Sequence, residues 1–229
     1  MAGKWNIDVS GAIEQQKRLS RLVREAPLGG PVKVIAGADA AFTPDGRYCV
    51  AAAAALNWPE LQQIAQAIAV KKVEFPYIPG LLSFREAPVV IAAAKKLKIR
   101  PDVLIIDGQG RAHPRRFGLA CHVGVELGWP TIGCAKSRLI GDCRQPGPRK
   151  GSRCQLHDHG ELIGMVLRSR DSVKCLYISI GHLTELTEAV NLVLRCCRPY
   201  RLPEPIRMTH QLVSRLRLKV AIDKGELKC

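Results

Sequence analysis

The sequence predicts an α/β fold with a mixed central sheet: antiparallel strands first, parallel strands after them, and helices on the flanks. Two observations carry this prediction. Apolar segments follow one another between residues 32 and 75 with tight turns between them, the pattern of antiparallel neighbours. From residue 85 onward, helical apolar spacing alternates with short, wholly apolar runs such as "VLII" and "TIGCA", which demands crossover connections and parallel pairing. A length of 229 residues suits one such domain, taken as residues 1–229.

The elements follow in order. Residues 8–24 read as an amphipathic helix, with Ile13, Leu19 and Leu22 on one side and charges on the other. "VKVIAGADAAF" and "YCVAAAAALNW" read as strands joined at "TPDGR". Residues 61–75 form a third strand, although "LQQIAQAIAV" is also compatible with a helix. Beyond a proline-rich loop, "REAPVVIAAAKKLK" reads as a helix, "DVLIIDG" as a buried strand, "RRFGLACHVGVELG" as a helix and "PTIGCAK" as a buried strand. Residues 139–151, rich in Gly, Pro, Lys and Arg, read as an exposed basic loop. "LIGMVLRSR" and "CLYISIGH" supply two more strands, and "TELTEAVNLVLRCC" and "IRMTHQLVSRLRLKVA" supply closing helices.

Charge narrows the partner. Thirty-five Lys and Arg against 20 Asp and Glu leave a net charge of +15, which favours a polyanion, nucleic acid before a membrane surface. The nine cysteines are scattered without a C-x-x-C, so a disulfide framework is not expected. With no apolar leader and no run approaching a membrane span, the expected setting is intracellular, reducing and cytoplasmic.

Three acids stand at or beside strand ends: Asp39 in "VIAGADAAF", Glu86 in "FREAP" and Asp107 in "LIIDGQG". Open α/β sheets place ligands at the carboxyl ends of their strands, and clustered carboxylates repel unless a hard cation neutralises them. Mg²⁺ is the natural candidate; taken singly, each acid also reads as a capping or turn residue. Lys136 ends the strand "TIGCAK". Alone it reads as a solvated charge; beside a metal site it would hold a phosphate or lower the pKa of a bound water. His210, flanked by Met208, Leu212 and Val213, reads by pattern as a structural histidine. In "FPYIPGLLSFREAP", Pro76 and Pro79 stiffen a loop that holds Tyr77 and Ile78 in a preset conformation, giving either a wedge or a surface turn packed on the core.

Together "GADAAF", "FPYIPGLLSFRE", "DGQGRAHPR", "GCAKSRL", "LRSRDSVKCLYISIGH" and "MTHQLV", in this order, resemble the endonuclease V family, the deoxyinosine 3′ endonucleases. The resemblance runs from about residue 15 to about residue 216. It implies a ribonuclease H-like fold, catalytic and metal-binding roles for Asp39, Glu86 and Asp107 with Mg²⁺ or Mn²⁺ in its place, and active-site roles for Lys136 and His210. Pro76, Tyr77, Ile78 and Pro79 become a wedge that parts the duplex while the altered base turns out. Gly80, Leu82, Gly108, Gly110 and His113 become candidates for the lesion pocket, and Arg85, Arg115, Arg116 and Arg138 for phosphate contacts. The implied reaction is hydrolysis of the second phosphodiester bond 3′ to deoxyinosine in DNA, with inosine-containing RNA as the alternative substrate, by a monomer acting in DNA repair.

Ala38, Ala40, Cys175 and Glu185 depart from the family pattern without removing a catalytic group. "CQLHDHGE", with Cys154, His157 and His159, fits no common zinc spacing. The competing classes are another ribonuclease H-like nuclease, which would not need the proline loop, and a non-catalytic nucleic-acid binder, against which the presence of all five site residues speaks.

Overall fold

The computed structural model describes the backbone of residues 8–223 and 226–228, and side chains over residues 8–220. Eight strands form one sheet. They are β1 (Val34–Phe42), β2 (Tyr48–Asn57), β3 (Gln63–Lys72), β4 (Val103–Ile106), β5 (Thr131–Ala135), β6 (Arg153–Asp158), β7 (Glu161–Leu167) and β8 (Leu176–His182), in the spatial order β3-β2-β1-β4-β5-β8-β7-β6. β1, β2 and β3 pair antiparallel, and β1, β4 and β5 pair parallel, as the sequence predicts. Past β5 the sheet turns antiparallel again through β8, β7 and β6.

Period-two alternation sends each strand's side chains to two cores. Ile35, Val103, Ile105, Ile132 and Ile178 face the helices α4 (Leu186–Cys196) and α5 (Glu204–Lys219). Ala36, Ala38, Leu104 and Ile106 face α2 (Leu82–Lys95) and α3 (Leu119–Leu127). The alanine run of β2 lies between α2 and α5, so its small side chains let helices approach from both faces. Ala38, one of the departures from the family pattern, packs in the α2 face of the core.

Several expectations shift. The ambiguous third segment is an edge strand. Ala65, Ala67 and Ala69 face the α2 core at period two, and pairing with β2 satisfies the backbone that a helix would have satisfied internally. Helix α1 (Val9–Ser20) is capped by Asp8, whose carboxylate accepts from the Gly11 amide at 2.7 Å, and it stops short of residue 24. α2 starts before Arg85, which places Arg85 and Glu86 in its first turns. α3 starts after the arginine pair and ends on Gly128 in the left-handed conformation. Strand β6 has no counterpart in the sequence reading. It hairpins to β7 through His159 and Gly160, with φ of 51° and 80°, the two positive values that a primed hairpin turn requires. The "DHG" in "CQLHDHGE" therefore makes a turn.

After α5, β9 (Ala221–Asp223) and β10 (Glu226–Lys228) pair as a two-stranded ribbon. Among the described residues no helix is long and apolar enough to cross a membrane, and the eight described cysteines carry free thiols.

Candidate active site

The same alternation that builds the α4–α5 core carries three charged residues to its upper edge. Asp39 continues the face of Ile35 and Gly37, Asp107 that of Val103 and Ile105, and Lys136 that of Ile132 and Cys134. Asp107 directly follows β4, whereas Asp39 lies within the longer neighbouring strand β1, one residue past its parallel pairing with β4, and not at the strand end that the sequence suggests; the Asp107 amide donates to the Ala38 carbonyl at 3.0 Å. The long side chain of Lys136 bends back so that Nζ pairs with Asp107 Oδ2.

His210 arrives from α5. A Cβ on Gly37 would come within 2.4 Å of the Pro205 backbone, so the bare Cα at this position lets α5 cross directly on β1. One and a half turns beyond Pro205, His210 Nδ1 reaches Asp39 Oδ2 at 2.8 Å and Lys136 Nζ at 3.1 Å. His210 thus faces the charged edge, not the apolar interior that its neighbours in sequence suggest.

Glu86 comes from the opposite side, on α2, and lines the same cleft of about 490 Å³. The crowding of carboxylates shows in their proton affinities. Burial, with the charges of Asp39 and Asp107 added, pushes Glu86 up to about 8. Burial and the Asp107 charge push Asp39 up to about 6, against the opposing hydrogen bond from His210. The negative charge at this edge is undercompensated by the protein's own cations. Oxygen atoms of Asp39 and Asp107 and a ring nitrogen of His210 lie within 4.8 Å of one another. Hard oxygen donors, a nitrogen at this spacing and excess negative charge fit a divalent cation. Glu86 lies outside that closest group.

The proline loop stands on the rim. Phe75 and Ile78 pack with Leu81 and Phe84, while Tyr77 projects 67% exposed. Tyr77, Ile78 and Pro79 line the cleft together with Gly80, Leu82, Gly108 and His113. Gly110 lies elsewhere: its amide donates to Ser179 Oγ at 2.8 Å, and a Cβ there would meet the Ile180 carbonyl at 2.0 Å. Its smallness lets the loop after β4 lie flat on β8. The His113 ring accepts from the Arg115 amide at 3.2 Å, and burial pushes its pKa down to about 4, so the ring is neutral at physiological pH.

The four arginines divide. Arg85 stacks over the Phe42 ring at 4.4 Å and near Tyr77 at 5.8 Å. Arg115 donates to the Gly80 carbonyl at 2.7 Å, and Arg116 is held by Asp158 at 2.9 Å and Glu161 at 2.6 Å. Arg138 lines the cleft and stays largely exposed, with a 3.4 Å pair to Asp142.

Two residues escaped the sequence reading. Arg201 donates to the Lys136 carbonyl at 2.7 Å and to the Cys175 carbonyl at 2.8 Å, fixing the end of β5 that carries Lys136. Nothing in its sequence neighbourhood signals this. Gln16 is fully buried in α1, between Ala12 and Leu19; a polar residue on the apolar stripe of a helix was the available signal.

A family model described as Endonuclease V matches residues 16–211. Endonuclease V of Geotalea uraniireducens (strain Rf4) is 45% identical over 213 residues, which cover 93% of this chain and 90% of that protein. The crystal structure of Endonuclease V from Streptomyces avermitilis superposes with a TM-score of 0.88 at 38% identity, over 93% of this chain and 94% of that one. Endonuclease V of Ciona intestinalis, solved in complex with a 24mer DNA containing an inosine followed by a ribo-adenosine, superposes with a TM-score of 0.79 at 26% identity, over 91% and 96% of the two chains.

Proposed function

The chain belongs to the endonuclease V family of nucleases, and from that premise we propose that it incises DNA at the second phosphodiester bond 3′ to a deoxyinosine. The products are a 3′-hydroxyl and a 5′-phosphate. The observation that carries the reading is the placement of the Asp39, Asp107, Lys136 and His210 cluster in one cleft with the rigid, exposed Tyr77 loop on its rim. A cluster that hydrolyses phosphodiesters is thus set beside a side chain able to part stacked bases.

Asp39 and Asp107, with Glu86 close by, would hold Mg²⁺, or Mn²⁺ in its place, whose chemistry when bound is Lewis-acid polarisation of the scissile phosphate, and His210 is left for the attacking water. Lys136 Nζ neutralises charge on a phosphate oxygen as it develops. The Asp39 carboxylate favours a proton on His210 Nδ1, which leaves the other ring nitrogen to accept a proton from the attacking water. That water's oxygen forms the new bond to phosphorus while the bond from phosphorus to the 3′ oxygen breaks, and the 3′ oxygen takes up a proton. Tyr77 and its flanking prolines enter beside the lesion, and the flipped hypoxanthine is received between Gly80, Leu82, Gly108 and His113. Arg85 and Arg138 belong to the basic surface that faces the strand, while Arg115 and Arg116 are engaged within the protein. The enzyme is read as a monomeric, cytoplasmic repair enzyme of one domain.

A second reading, incision of RNA at inosine, draws on the Ciona intestinalis complex, whose strand carries a ribo-adenosine after the inosine. Labelled DNA and RNA oligonucleotides, each with one inosine, are incubated with Mg²⁺ or EDTA and with wild type or Asp39→Ala. Mg²⁺-dependent incision one nucleotide 3′ of inosine, lost in the variant, is the expected result, and the substrate that is cut decides between the two readings. Absence of incision on both, with binding retained, would overturn them.

A further inference from the structure

The Gly80 carbonyl, the last peptide oxygen of the proline loop, is held by side chains from two distant parts of the chain. Gln16 Nε2 donates to it at 3.1 Å from α1, and Arg115 Nη2 donates to it at 2.7 Å from the segment before α3. The His113 ring also donates toward it. The donors are themselves linked: Gln16 Oε1 accepts from Arg115 Nε, and Gln16 Nε2 also donates to the Phe117 carbonyl at 2.8 Å. Gln16 is 0% exposed. A buried primary amide is costly unless its polar atoms are satisfied, and here each of them meets the base of the loop or the arginine that grips it.

Gly80 itself has φ of +78°, so the peptide that carries this carbonyl is turned sharply away from Pro79. A carbonyl fixed at that point sets the direction in which the preceding Tyr77 stands. The prolines stiffen the loop internally; the clamp ties its base to the body of the protein.

We propose that Gln16 and Arg115 are positioning residues that clamp the Gly80 carbonyl and thereby hold the Tyr77 loop at the angle needed to open a duplex. The proposal rests on the wedge reading given above. It separates two steps. Loss of the clamp impairs entry into paired DNA far more than hydrolysis on an already unpaired strand, because Asp39, Asp107, Lys136 and His210 do not touch it.

The test uses the full chain with Gln16→Leu, which keeps bulk and burial, and Gln16→Glu, which keeps the acceptor facing Arg115 and removes the amide donor. Single-turnover incision is measured on an inosine-containing duplex and on the same strand unpaired. Hydrogen exchange is followed over residues 75–82 without nucleic acid, where the Leu81 amide, bonded to the Ile78 carbonyl at 2.9 Å, reports on the loop. We expect duplex incision to fall by about ten-fold or more while unpaired incision stays within about two-fold, and exchange over the loop to quicken. Equal losses on both substrates, or unchanged exchange, would overturn the clamp. Should wild type fail to cut inosine strands at all, the functional reading falls, and quickened loop exchange in both variants would still establish the clamp. Arg115→Lys, which retains charge but loses the forked geometry, should reproduce the duplex defect in part.

Discussion

His210 Nδ1 lies 2.8 Å from Asp39 Oδ2, across 171 residues of sequence, because α5 crosses β1 on the bare Cα of Gly37. This contact joins the last helix of the main body to the first strand, and the charge balance of the cleft depends on it.

Removal of the imidazole should therefore affect the chemical step. His210→Ala is expected to lower kcat by about 10²–10⁴-fold, the usual range for loss of a general acid or base, with a smaller change in KM. Steady-state kinetics on an inosine duplex checks this; an unchanged kcat would remove His210 from the catalytic set.

Gly37→Ala tests the crossing itself. The added methyl would meet the Pro205 backbone at 2.4 Å, so α5 must shift. A destabilisation of about 1–3 kcal/mol is expected from overpacking, together with an activity loss larger than stability explains, because His210 moves with the helix. Thermal melting and kinetics on the same preparation separate the two effects.

Cation affinity should rise with pH. Glu86 at about 8 and Asp39 at about 6 hold protons that must leave before a cation binds. Mn²⁺ titrations between pH 5.5 and 8.5 should show steadily tighter binding. Without cation the sign reverses for stability. A carboxyl whose folded pKa is raised contributes stability fully below its unfolded pKa near 4.5, and loses it as pH climbs toward 8. Metal-free Glu86→Gln should accordingly melt higher than wild type at pH 8, by about 2–4 °C for each kcal/mol relieved, and the gap should close near pH 5.

Two buried histidines act in the opposite sense. Burial pushes His122 down to about 3 and His113 down to about 4, so both stay neutral in the fold while the unfolded chain takes up protons below about 6.5. The stability they contribute is complete above that value and is lost as pH falls, at up to about 1.4 kcal/mol per pH unit for each. Urea unfolding from pH 7 to 4.5 should show this slope, reduced in His122→Phe, whose ring would lie between Phe84 and Phe117 as His122 does.

Much of the site was legible because strand-end position and alternation are local properties. An acid after "VLII" ends a buried strand, and parity then sets the face shared by Asp39, Asp107 and Lys136. Strand β6 was not legible: "RCQLHD" is short and polar, and its pairing with β7 comes from a turn at His159 and Gly160 that the histidines disguised. Nor could the engagement of Arg115 and Arg116 within the protein be read, since an arginine's partners are fixed by segments distant in sequence.

By itself the sequence determined the order of elements from α1 to α5 apart from β6, the alternation that gives the sheet two apolar faces, the stiffness of the proline loop and the family motifs. Tertiary structure alone decided which face of α5 meets β1, that Gln16 reaches Gly80 across 64 residues, and that Arg201 braces Lys136. The physical reason is range. Periodicity and φ restriction act within a few residues, whereas hydrogen bonds and charge pairs depend on distances that only the packed chain creates.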